Sequence, residues 1–179
     1  MKSHIRNFVV VFASVVLLGC GLTASKSNDG YADFDSLGVF DFDHTMTLSF
    51  GPTILNFAAS HIDDDPETKA LLRGLKGVRI KIYEIDGDAT RVAARLNKMS
   101  LKLREQNWEP IVLVREEGEQ VHMLVKMAGN QISGLTILTS DAEEVVIVNI
   151  MGDLQPEMFT ATMAALDIDT PEIQVAVGN

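Results

Sequence analysis

The chain has 179 residues, of which 25 are acidic and 15 are basic, so its formal charge at pH 7 is −10. This length suits one domain with a sizeable core, and a hydrophobic share of 46% argues against a disordered chain. The acidic balance argues against nucleic acid as a partner, because the chain as a whole would repel phosphate. A single cysteine excludes an internal disulfide and any zinc site built from cysteines.

The first twenty residues have the pattern of a bacterial export signal. Two basic residues precede an apolar run over 8–18, which is too short for a membrane-spanning helix and has the length of a signal-peptide core. The run ends in Leu17-Leu18-Gly19-Cys20, which resembles the lipobox of bacterial lipoproteins. The resemblance implies transfer of a diacylglyceryl group to the Cys20 sulfur, cleavage after Gly19 and acylation of the new amino terminus. The alternatives are an ordinary signal peptide with a chance cysteine and a cysteine buried in the core.

Cleavage after Gly19 would remove Lys2 and Arg6, leaving 13 basic and 25 acidic residues and a charge of −12. Residue 21 is a glycine rather than the aspartate that commonly retains such lipoproteins in the inner membrane. The resemblance therefore implies the outer membrane, with the protein on the periplasmic side and the membrane as a partner through Cys20. We expect residues 1–19 to form the signal peptide and residues 20–33, which are small and polar, to form a flexible tether.

Residues 34–168 are predicted to form a single domain, followed by a disordered tail over 169–179. Apolar residues at helical spacing predict two short helices, which begin at Pro52 and Pro66. A longer helix is predicted over 89–106, with an apolar stripe formed by Val92, Leu96, Met99 and Leu103. A final helix is expected after its N-cap residue Asp153, with its apolar side facing the core at Phe159, Met163 and Leu166.

Period-two alternation and apolar runs predict strands over 45–50, 78–83, 111–115, 120–127, 132–139 and 144–151. The last four are joined by short polar turns, and such short connections require antiparallel pairing. The strand over 144–151 is apolar on both faces and should lie inside the sheet. The predicted fold is α+β: a mainly antiparallel sheet of five to six strands with helices packed on one face, in two layers.

One acidic motif resembles the first motif of haloacid-dehalogenase-type phosphatases. It is Asp41-Phe42-Asp43-His44-Thr45, in which the family resemblance makes Asp41 the nucleophile and Asp43 an acid/base, beside magnesium. Thr139 and Asp153 occur in the order of the later motifs, but the family needs a lysine between them and no lysine follows Lys126. The chain is therefore interpreted as a non-enzyme, and a magnesium-dependent phosphatase using Asp41 and Asp43 is the alternative.

Two groups of residues are candidate metal ligands. His61 is followed by three aspartates over 63–65, but consecutive residues do not all face one ion, and the glycine turn of calcium loops is missing. His122 shares a strand face with Gln120 and Lys126 and is expected to face solvent. The sequence therefore predicts no metal and no cofactor.

The predicted long helix carries a strip of basic residues. Spacings of four, three and four residues place the four side chains on one narrow side of the helix: Arg91, Arg95, Lys98 and Lys102. This basic strip is the candidate surface for anionic lipid, an anionic glycan or an acidic partner. The alternative is a solvated helix face that balances the acidic residues of the same domain.

Several segments in order, together with the lipobox, resemble a bacterial lipoprotein family known as domain of unknown function 4252, over about residues 30–165. They are Leu48-Ser49-Phe50-Gly51-Pro52, Gly74-Leu75-Lys76-Gly77-Val78-Arg79, Ile82-Tyr83-Glu84 and the stretch over 134–152. The resemblance implies a small α+β envelope lipoprotein and supplies no catalytic residue. The leading interpretation is a non-enzymatic binding or envelope-maintenance and stress-related protein, with an envelope protein as a second partner.

Overall fold

The computed structural model describes residues 21–35, 44–85, 89–116, 119–141 and 143–154. Within these ranges the chain forms six strands and three helices. In chain order they are β1 (His44–Phe50), α1 (Pro52–Ser60), α2 (Pro66–Gly74), β2 (Leu75–Glu84), α3 (Ala89–Glu105), β3 (Trp108–Glu116), β4 (Glu119–Ala128), β5 (Gln131–Ser140) and β6 (Glu144–Leu154).

The six strands form one sheet in the order β1-β2-β6-β5-β4-β3, and every neighbouring pair is antiparallel. Strands β3 to β6 follow one another as hairpins, and β6 also pairs with β2. The most apolar strand is therefore interior, as its sequence predicts. The α+β class and the mainly antiparallel sheet of five to six strands are confirmed.

The long helix α3 covers one face of the sheet, which we call the α3 face. The predicted apolar stripe of α3 is at most 1% exposed at each position: Val92, Leu96, Met99 and Leu103. These side chains form one cluster with the sheet residues Leu124, Leu138 and Ile147. Burial of this stripe packs α3 as a layer against the sheet.

The two short helices contribute to a second apolar cluster. Leu55 of α1 and Leu71 and Leu72 of α2 join it with Met123 and Val125 of β4. Because successive side chains of a strand point to opposite faces, Met123 and Val125 lie on the face opposite to Leu124. Helical residues therefore contact both faces of the sheet, with α3 on one and the short helices on the other.

Local sequence explains where the helices begin and end. Helix α1 begins with Pro52 in its first turn, where a missing N–H costs nothing. The Asp65 carboxylate accepts hydrogen bonds from the backbone N–H groups of Glu67 and Thr68 at 3.1 and 2.9 Å, which caps α2 as predicted. After α3 the chain turns at Asn107, whose φ of 65° lies in the left-handed region that asparagine tolerates.

Two predictions about residues of the sheet are wrong in the structure. Asp153 is not a helix N-cap but an exposed residue of β6, which runs on to Leu154 because β5 offers Ile132 as a pairing partner there. His122 does not face solvent and is only 4% exposed, because its side of β4 is the α3 face, opposite Leu138. The helix predicted beyond Asp153 and the tail over 169–179 lie outside the described residues.

Strand β2 has the predicted period of two, but its polar side is the more buried one. Arg79, Lys81 and Tyr83 are each 7% exposed, whereas the apolar residues between them are half-buried. Charged side chains are rarely buried to this extent unless they are paired. Here the N-terminal part of the chain covers Arg79 and Lys81 and supplies their partners.

Candidate functional site

The N-terminal segment, Gly21–Asp35, lies against the α3 face instead of forming the flexible tether predicted for residues 20–33. Gly30, Ala32 and Phe34 are buried, and Ala32 and Phe34 belong to the same cluster as the α3 stripe. The segment is held by hydrogen bonds as well as by apolar contacts. It is therefore part of the folded domain.

Asn149 of β6 provides the central hydrogen bonds of this contact. Its Oδ1 accepts from the backbone N–H of Ala32 at 3.0 Å, and its Nδ2 donates to the carbonyl oxygen of Gly30 at 3.0 Å. Nδ2 also lies 3.3 Å from the carbonyl oxygen of Leu135. Asn149 is fully buried, and a buried amide is tolerated only when its polar atoms are paired in this way. Sequence analysis missed this residue, although a lone asparagine inside an apolar strand was the available signal.

Two buried cations of β2 hold the end of the segment. The Arg79 guanidinium donates to the carbonyl oxygen of Ala32 at 3.3 Å and lies 4.6 Å from the ring centroid of Tyr31. Lys81 Nζ donates to the Asp35 carboxylate, and Arg79 Nη2 lies 3.6 Å from the same group. The Lys81 hydrogen bond lowers the pKa of the Asp35 carboxyl, the charges of Lys81 and Arg79 add to this, and partial burial acts in the opposite direction.

The backbone of the segment lies directly on β5. A Cβ atom at Gly30 would overlap the carbonyl oxygen of Ser133, and a Cβ atom at Gly134 would overlap Gly30 and the ring of Trp108. Only glycine at both positions permits this approach. The contact between the segment and β5 therefore depends on glycine at these two positions.

The segment begins at the N-terminus of α1. The Gly21 carbonyl oxygen accepts from the Thr53 N–H at 3.0 Å, and the Leu22 carbonyl oxygen accepts from the Gly51 N–H at 2.7 Å. These bonds satisfy N–H groups that have no partner within the helix. Cys20 itself lies outside the described residues. Gly21, which follows it in the sequence, is bonded to this end of α1.

The basic strip lies on one side of α3, as its spacing requires. Arg91 and Lys98 are exposed, and Arg95 and Lys102 are half-buried beside the apolar stripe. The exposed pair is accessible to an anion from solvent.

The residues of the phosphatase-like motifs are not brought together where the structure describes them. Asp41 and Asp43 lie outside the described residues. Thr139 pairs with Val146, and Asp153 is seven residues further along β6, so the two lie roughly 20 Å apart along the sheet at about 3.3 Å per residue. Across the described ranges, no group of three or more histidine, cysteine, aspartate or glutamate residues could hold a metal ion.

One open cavity of about 230 Å³ lies where the N-terminal segment meets the ends of β5 and β6. Its described lining is mostly polar: Asn28, Asp29, Lys76, Ala128, Gln131, Ile132, Ser133, Gly152 and Asp153. Gln131 Nε2 donates to the Asp153 carboxylate at 3.3 Å, and Ser133 Oγ donates to the Lys126 carbonyl oxygen at 3.0 Å. The Ser133 hydroxyl is therefore bonded to the backbone of β4 rather than to a histidine.

Two comparisons with known proteins bear on identity, beside one property of the helices. No helix in the described part of the chain is long and apolar enough to cross a membrane. None of the curated proteins matches the chain. A family profile described as "Domain of unknown function (DUF4252)" matches residues 40–161, which is more than half of the chain, and confirms the family resemblance seen in the sequence. The chain therefore belongs to the DUF4252 family, a domain of unknown function.

Proposed function

We propose that the protein is a lipoprotein, attached through Cys20 to the outer membrane on its periplasmic side, and that it acts by binding rather than catalysis in envelope maintenance. The observation that carries the proposal is the lipobox at Leu17–Cys20, followed without a spacer by residues that cap α1. An acyl chain on Cys20 would thus be joined to the folded domain itself. An envelope protein is the partner class that this location favours.

Metabolic labelling tests the anchor. Cells that express the wild-type chain should incorporate radiolabelled palmitate into it, whereas the Cys20→Ser variant should incorporate none, because diacylglyceryl transfer needs the thiol. Separation of the membranes by density should place the labelled protein in the outer-membrane fraction. Equal labelling of both chains would overturn the lipoprotein proposal, and label in the inner-membrane fraction would overturn the outer-membrane location.

Absence of phosphatase activity is the second part of the proposal, and the separation of Thr139 from Asp153 supports it. A magnesium-dependent assay with an aryl phosphate should give the same background rate for the wild type and for Asp41→Asn. Activity that the substitution abolishes would establish the hydrolase alternative based on Asp41 and Asp43.

Anion binding by the basic strip is the other candidate function, and the exposure of Arg91 and Lys98 favours it. Binding to vesicles with anionic lipid, or to an anionic glycan, should weaken with salt and should be lost in the double variant Arg95→Glu and Lys98→Glu. Arg73→Glu with Lys76→Glu makes the same change of charge at exposed positions outside α3 and should leave binding unchanged. Equal binding by the two double variants would show that the strip is only a solvated helix face.

A further inference from the structure

The end of the domain next to Cys20 exposes large apolar side chains. Leu22, Ile54 and Phe57 are 47%, 36% and 67% exposed, respectively. Helix α1, which carries two of them, has the sequence PTILNFAAS and contains no charged residue. An uncharged helix with an exposed aromatic residue is unusual on a domain whose overall charge is strongly negative.

Ile54 and Phe57 lie together on the outward side of α1, and the backbone of Leu22 bonds to Gly51 at the start of this helix. Leu55 and Ala59 are buried and set the inward side of the helix. Phe57 is three residues from Ile54, so the two are neighbours on the helix surface. The Thr53 N–H, in the first turn of the helix, donates to the Gly21 carbonyl oxygen, so the residue that follows Cys20 in the sequence is bonded to α1.

We infer that this surface, formed by Leu22, Thr53, Ile54 and Phe57, rests in the lipid leaflet that receives the acyl chains of Cys20; the inference rests on the proposed lipid attachment. An acyl group on Cys20 enters the leaflet, and Gly21 is already bonded to α1, so no spacer separates the domain from the lipid. Apolar side chains held at that depth gain stabilisation by leaving water.

The surroundings of Phe57 fit a membrane interface better than a protein core. Its ring lies 4.4 Å from the ring of His61, whose Nδ1 is 2.9 Å from the Phe57 carbonyl oxygen. Phenylalanine is among the apolar residues that interfacial helices place at the boundary between lipid headgroups and acyl chains. The occupant is the lipid leaflet rather than a second copy of the chain, because the covalent anchor would deliver this surface to lipid whatever the protein concentration.

Site-directed spin labelling of the lipidated full-length protein tests the inference. Cys20 is the chain's only cysteine and its thiol would be consumed by lipidation, so Phe57→Cys introduces a unique free thiol for a nitroxide. In vesicles of bacterial phospholipids, power saturation should show that this nitroxide is reached more readily by oxygen than by a water-soluble nickel chelate. Leu101→Cys is the matched control, since Leu101 is an equally apolar residue of α3 with 57% exposure. Its nitroxide should keep the accessibility of an aqueous site.

A second variant separates insertion from mere proximity. The nitroxide at Ile54→Cys should become more accessible to the nickel chelate, relative to oxygen, when Phe57→Asp is added; we call this the aqueous profile. Mass spectrometry should show the same acylation of Cys20 in both proteins. Aqueous profiles at both 54 and 57 in acylated protein would overturn the inference but leave the anchor intact. A membrane profile at 101 as well as 57 would also overturn it, because the contact would then not be specific to α1. Protein without acyl groups would overturn the proposed anchor, and the inference with it.

Discussion

Helix α3 and the N-terminal segment cover the same face of the sheet by different means. Helix α3 contributes a stripe of fully buried apolar side chains, of which Leu96 is at the centre. The segment places few apolar side chains and is held through backbone groups that bond to Asn149 and Arg79. The first kind of contact is non-directional and scales with area, whereas the second depends on particular atoms. The two regions should therefore respond differently to substitution.

The largest effect is expected from the α3 side. Leu96→Ala should lower the free energy of unfolding by about 2–5 kcal/mol, because it removes a fully buried side chain and leaves a cavity. Urea unfolding measures the change. Leu101→Ala on the exposed side of the same helix should change it by no more than about 0.5 kcal/mol. Similar losses from both variants would show that α3 does not pack through the stripe.

A substitution in β6, beneath the N-terminal segment, is expected to have an intermediate and more local effect on the free energy of unfolding. Asn149→Ala should cost about 1–3 kcal/mol, because it leaves the N–H of Ala32 and the carbonyl of Gly30 without their partner. Trypsin should also cleave faster after Lys26, which is exposed on the segment. The exposed Asn56, whose side chain donates to the Pro52 carbonyl oxygen within α1, supplies the control Asn56→Ala. Unchanged cleavage in Asn149→Ala would show that other contacts suffice to hold the segment.

The smallest effect is expected from the ion pairs of Asp35. Its side chain is 55% exposed, so Asp35→Asn should cost within about 1 kcal/mol at neutral pH. Folding lowers the pKa of this carboxyl, chiefly through the hydrogen bond from Lys81. The carboxylate therefore contributes stability above its unfolded pKa, and this contribution is lost as pH falls through the lower, folded pKa.

Parallel urea titrations of the wild type and Asp35→Asn should thus diverge at neutral pH and converge in acid, below about pH 4. Asp29→Asn is the control, because Asp29 is an exposed carboxylate of the same segment for which no ion pair is seen. A difference between wild type and Asp35→Asn that persists unchanged at low pH would argue against the ionic contribution.

The order and types of the described elements could be predicted because their signals are local. The stripe of α3 repeats with the helical period, Asp65 precedes Pro66 at a helix start, and the interior strand β6 is apolar on both sides. Each of these patterns is created by contacts that many side chains share. The family assignment likewise followed from segments spread over the domain.

The contact made by the N-terminal segment could not be predicted in the same way. Its residues are small and polar, and its hydrogen bonds join positions more than 100 residues apart, as between Ala32 and Asn149. The burial of His122 was missed for a related reason, since a polar residue on a strand reveals its surroundings only once the covering element is known. For the N-terminal segment, the available signal of its packing was a pair of aromatic residues, Tyr31 and Phe34, in an otherwise polar stretch.

The N-terminal segment can also be regarded as an intramolecular ligand of the sheet. Only residues 36–43 separate Asp35 from β1, so the segment encounters its own binding surface at an effective concentration that a free peptide would match only in the millimolar range. Versions of the chain that begin after Asp35 would lose this ligand. They would expose Arg79 and Lys81, two cations that are now less than one tenth exposed, and present an anion-binding surface that the intact domain keeps covered.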